Sequence, residues 1–198
     1  MTTRATWRAL AGLLLPAWVA AAPTTGGDCS PPGGGPMVMD GADLVLHGGP
    51  GQPLARWPLR DAQGRPGTLL AVCALAQRQS FAIVVQGWTE LWEISTDPAA
   101  PPIYDGLVHD WRLGEGIARP GHLGVRRIHL ARPWVAVFAD ARVPWLLGVE
   151  QGAAPDSGVV VLHLDVRRSV GRLALAPDGR WPALAGRHFP WGPGPASP

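Results

Sequence analysis

Between residues 88 and 127 the chain gathers indole, phenol, imidazole and guanidinium groups, among them Trp88, Trp92, its only tyrosine Tyr104, His109, Trp111, Arg126 and Arg127. His109 precedes Asp110. An imidazole in that setting can ligate a metal, act as acid or base near neutral pH, or anchor its loop by hydrogen bonding to the neighbouring carboxylate. Arg126 and Arg127 each carry a planar fork that grips a carboxylate bidentately, whether that carboxylate belongs to a ligand or to a nearby acid of the chain. Side chains at i and i+1 of a strand point to opposite faces, so only one of the two arginines can enter any one pocket. The indoles can wall a pocket for a flat ring or fill the space between packed sheets.

Other chemistries lack their residues. Two cysteines and six scattered histidines give no metal-ligand spacing, and there is no CxxCH haem-attachment motif. Ser95, Ser157 and Ser169 have no Gly-x-Ser-x-Gly setting, and no glycine-rich loop opens a helix to cradle phosphate. His129 and His163 fall in strand-like runs, where a histidine satisfied within the sheet is the plainer reading. All seventeen basic residues are arginine, against fifteen acids. Arg4 and Arg8 lie at the N-terminus, so residues beyond 21 balance at fifteen of each sign, and nothing calls for nucleic acid.

The elements that must position these groups are short. Residues 1–21 have the form of an export signal: Arg4 and Arg8, an apolar run from Leu10 to Ala22, and a Val19-Ala20-Ala21 cleavage stretch. The run is too short and proline-broken for a membrane span, and the implied location is the periplasm. Residues 22–39 (APTTGGDCSPPGGGPMVM) form a low-complexity linker with too little apolar surface to order itself. Cys29 and Cys73 can pair in an oxidising compartment, but Cys73 sits in the apolar run LLAVCALA, where a buried free thiol is the plainer expectation. Residues 40–177 alternate apolar runs with turn signals: DLVLH, PLARWPL, LLAVCALAQ, FAIVVQG and ELWEIS, then VRRIHLA, WVAVFAD, WLLGVEQ, GVVVLHLDV and VGRLALA. Runs of strand length recurring every ten to twelve residues, with little helical period, predict an all-β domain. Residues 178–198 form a Pro/Gly-rich tail.

The grouping is more informative than the number of runs. WVAVFAD to VGRLALA make four strands. LLAVCALAQ to ELWEIS, completed by VRRIHLA beyond the 97–124 excursion, make another four, with DLVLH and PLARWPL as the outer part of an incomplete set before them. This is the cadence of four-stranded antiparallel propeller blades, and it predicts an incomplete β-propeller-like arc of about two and a half blades.

Over residues 69–176 the chain resembles the d1-haem β-propeller domain family, which holds cytochrome cd1 nitrite reductase and related haem d1 maturation proteins. The likeness is carried by Glu90-Leu91-Trp92-Glu93, by Gly106-Leu107-Val108-His109-Asp110 and by Gly124-Val125-Arg126-Arg127. It implies a periplasmic protein that binds haem d1 or assists its maturation for denitrification. His109 would be the iron ligand, Arg126 and Arg127 the partners of the macrocycle carboxylates, and Trp92 and Trp111 the apolar wall. The alternative is a non-catalytic β docking module, or a truncated relative that has lost its cofactor. An incomplete arc has unpaired edges and half-buried faces, which imply a protein partner or self-association.

Overall fold

The computed structural model describes residues 25–33, 35–49, 52–61, 63–104, 118–140, 142–154, 156–176, 178–184 and 187. The expected export signal, 1–21, lies outside them, as does most of the tail. Two short strands, β1 (Gly26–Gly27) and β2 (Cys29–Ser30), come first. They are followed by β3 (Met37–Asp40), β4 (Asp43–Gly49) and β5 (Gln52–Pro58). Next come β6 (Leu69–Leu75), β7 (Ser80–Val85) and β8 (Glu90–Ser95), the short pair β9 (Ile103–Tyr104) and β10 (Ala118–Arg119), and β11 (Val125–His129). The last four are β12 (Trp134–Ala139), β13 (Trp145–Glu150), β14 (Val159–His163) and β15 (Arg168–Leu173). A single 3-10 turn, Ala76–Arg78, is the one helical element among the described residues.

The strands form three antiparallel meanders: β3-β4-β5, β6-β7-β8-β11 and β12-β13-β14-β15. These are the groups expected from the sequence, including the incomplete first set and the return of VRRIHLA to ELWEIS across the excursion. Strand alternation gives each central strand two apolar faces. Met37, Leu44 and Leu46 of the first sheet pack against Leu69, Ile83, Trp92 and Ile94 of the second. From its other face Ala71, Cys73, Ala82, Val84 and Leu91 meet Trp134, Val137, Leu146, Val160 and Leu162 of the third. Gly148 permits a close approach within the third sheet: a Cβ there would lie 2.1 Å from the Trp134 ring.

Three features depart from the sequence expectations. Residues 22–39 include ordered strands rather than only a linker, because β1 and β2 take up backbone hydrogen bonds from strands of the second and third sheets. Cys73 is not a free thiol: it faces Cys29 across the β2–β6 ladder and the two form a disulfide. The expected half-buried faces are covered from within the chain. On the first sheet Arg56 lies opposite Val45 and reaches Asp40 at 2.6 Å and Asp43 at 3.1 Å, and Val45 is buried. On the third sheet Trp181 stacks on Phe138 with ring centroids 5.6 Å apart, and buried Leu184 packs with Trp145, Leu147 and Val161. Strands β5, β11 and β15 stay at sheet margins.

Candidate functional site

The turn between β6 and β7, the end of β8, the start of β11 and the turn between β14 and β15 meet at one end of the second and third sheets. They enclose a cleft of about 470 Å³ lined by Gln77, Arg78, Ser80, Glu93, Ser95, Asp97, Ala100, Pro101, Arg126, Leu164, Asp165 and Arg167. Gln79 closes the first turn in the left-handed region, at φ 47°, and its carbonyl accepts from the Thr96 N–H at 2.7 Å and the Thr96 hydroxyl at 2.9 Å. The 97–124 excursion therefore starts tied to the rim of the cleft.

Its stem is closed. Ile103 is buried, Tyr104 pairs with Ala118 across β9–β10, and the Leu123 N–H returns to the Ser95 carbonyl at 2.8 Å. Gly121 and Gly124 are needed there, since a Cβ on either would fall 2.1 Å or less from a carbonyl oxygen of Pro101 or Pro120. Trp57 of the first sheet donates its indole N–H to the Leu123 carbonyl at 3.0 Å. His109 and Trp111 belong to the span that leaves this stem and lie outside the described residues.

Glu93 is the hub of the cleft, only 3% exposed. Its Oε1 accepts from Arg78 Nε and from the Ser80 hydroxyl, both at 3.1 Å, and its Oε2 accepts from Arg126 at 3.3 Å. Arg78 also bridges to Asp165 on the facing turn, so one guanidinium joins the second sheet to the third. Burial opposes the charge on Arg78, but Glu93 and Asp165 hold its pKa above the ordinary guanidinium value. His163, at the end of β14, accepts from the Asp165 N–H at 3.2 Å, and burial is the chief cause of its lowered pKa.

The strand alternation divides the residues chosen from the sequence. Arg126 pairs in register with Glu93 and lines the cleft, whereas Arg127 pairs with Trp92 and faces the first sheet. Arg127 reaches Glu90 at 2.6 Å and lies over the Trp92 ring, 5.1 Å from its centroid. Trp92 is 2% exposed, and its centroid is 5.7 Å from that of Trp88. Trp92 thus packs in the core between the first and second sheets, and Arg127 covers that core while paired with Glu90. Sequence reasoning did not find Arg78, Ser80, Glu93 and Asp165. The alternation within ELWEIS held a signal, because it sets Glu93 on the same face as Leu91, toward the third sheet.

Fold and site together define an all-β stack of antiparallel meanders with a charge-balanced cleft at one end, lined in part by the start of an inserted segment. No family model matches the chain, and no curated protein matches it. Among solved structures the chain is similar to dihydro-haem d1 dehydrogenase NirN in complex with DHE, with 22% identity and a TM-score of 0.49 over 68% of this chain and 24% of that one. The chain thus spans about a quarter of that protein's length.

Proposed function

We propose that this chain is an exported, d1-haem-associated protein whose sheets are propeller-like blades, and that it binds, or assists the maturation of, a modified haem for denitrification. The observation that carries the reading is the placement of the family-like segments. Glu90-Leu91-Trp92-Glu93 and Val125-Arg126-Arg127 are register partners on β8 and β11, and Asp97, Ala100 and Pro101, at the start of the insertion whose sequence includes His109, line the cleft beside them. The cleft suits one part of such a ligand. Arg78, Arg126 and Arg167 are the group type that holds the carboxylate edge of a macrocycle. No aromatic ring is among the described residues lining the cleft, so in this reading the remaining groups would come from the inserted span: His109 would ligate the iron and Trp111 would supply an apolar surface. The disulfide supports export, since such bonds persist in oxidising compartments.

A second reading, a β docking module without cofactor, is favoured by the charge balance of the cleft: Arg78 and Arg126 already have carboxylate partners. Its partner would add a strand at a sheet margin, β5, β11 or β15. The readings separate when the protein is exported from a host that makes haem d1. Protein purified with a stoichiometric green macrocycle supports the first. Colourless protein that carries a co-purifying chain supports the second.

A further inference from the structure

Residues 25–30 cross the neighbouring edges of two sheets. Gly26 and Gly27 lie parallel to β12, and Cys29 and Ser30 lie antiparallel to β6. Asp28 joins the two: its N–H donates to the Ala139 carbonyl at 2.9 Å, and its carbonyl accepts from the Ala74 N–H at 2.8 Å. The fit is specific, because Gly27 holds φ +69° where a Cβ would stand 1.9 Å from the Ala139 oxygen. Yet each strand offers only two residues, and Cys29 is the sole apolar side chain of the segment in the core between the sheets. Behind it runs Pro31-Pro32-Gly33-Gly34-Gly35-Pro36, in which a side chain added at Gly33 or Gly35 would meet nothing within 4 Å.

We propose that the Cys29–Cys73 bond is a redox latch on this clasp, and that reduction opens the β6 and β12 edges to the same segment of a second copy. A dithiol reductant supplies two electrons and two protons; the S–S bond breaks to two thiols while the reductant closes to its own disulfide. Attack requires the clasp to lift locally, which two-residue pairings allow. The released row of N–H and C=O groups on β6 and β12 is a template for strand addition. The occupant that fits is residues 25–30 of another copy, since that segment carries the glycine that clears Ala139 and the thiol that reaches Cys73. Exchange of an identical element between chains is a low-cost route to a dimer.

The test is hydrogen exchange on the full chain, oxidised and then reduced with dithiothreitol, followed by reoxidation over a range of protein concentrations. Reduction is expected to speed exchange at 26–30 and at Ala74 by about tenfold or more, with β7–β8 and β13–β14 still protected. Reoxidation at high concentration should give a covalent dimer linked from Cys29 of one copy to Cys73 of the other, and Cys29→Ser should show the fast exchange without reductant and form no such dimer. Unchanged exchange at 26–30 would overturn the latch, as would loss of protection throughout the chain, which assigns the bond to global stability. Monomer alone after reoxidation at every concentration would overturn the second copy as occupant.

Discussion

Arg127 lies over the indole of Trp92, 5.1 Å from its centroid, while its neighbour Arg126 turns the other way to meet Glu93 at 3.3 Å. The two arginines therefore do different work: one covers a core between two sheets, the other lines a cleft. Trp92→Ala should cost about 4 kcal/mol in denaturant unfolding, the range for deleting a buried large side chain. Arg127→Ala should cost about 1 kcal/mol, for a lost cation–π contact and covering stem. A Trp92 substitution that left stability unchanged would contradict its place in the core.

Glu93 holds the cleft together, and its loss leaves two guanidinium groups around an empty centre. Glu93→Ala should destabilise by about 3 kcal/mol, as expected when one partner of a buried pair is removed. Arg126→Ala should cost only about 1 kcal/mol, because that side chain retains 23% exposure to water. Unfolding of both variants and of the double mutant gives the coupling energy. Independent, additive losses would refute the network.

Much of this was legible in the sequence. The three meanders were readable because each strand buries a regular apolar pattern, and the opposed directions of Arg126 and Arg127 follow from the two-residue period alone. The clasp was not, since Gly26-Gly27 and Cys29-Ser30 have no periodicity and are ordered by partners about forty-five and about one hundred and ten residues away. The cover on the third sheet was hidden for a similar reason: Trp181 and Leu184 stand in a stretch rich in proline and glycine, and only the sheet beneath gives them a place. The role of Glu93 was not legible because its cationic partners, Arg78 and Arg126, come from another turn and another strand.

Trp181→Ala with Leu184→Ala should uncover Trp145, Leu147 and Val161. The expected result is a loss of about 3 kcal/mol or more, together with binding of a hydrophobic dye and a rise in light scattering. A stable, dye-negative double variant would show that this face needs no cover.

His163 gives the pH dependence its sign. Its pKa lies below the ordinary 6.5 through burial first, with Asp165 pulling it up and Arg78 pushing it down. The unfolded chain takes up a proton near 6.5 while the folded chain does not, so folding stability falls as pH drops below about 6.5. The denaturation midpoint should decline between pH 7 and 5, and His163→Asn, which offers a non-titrating acceptor near the Nδ1 position, should flatten that decline. An equal slope in both proteins would assign the effect elsewhere.

The most direct measurement is an absorption titration of the purified protein with haem d1 and, separately, with ordinary haem. The d1-associated reading predicts saturable, preferential binding of haem d1, a shift of its bands in His109→Ala if the imidazole is the axial ligand, and weaker binding without a band shift in Arg126→Ala. Failure of either macrocycle to saturate, or equal binding of both with no effect of His109→Ala, would contradict it.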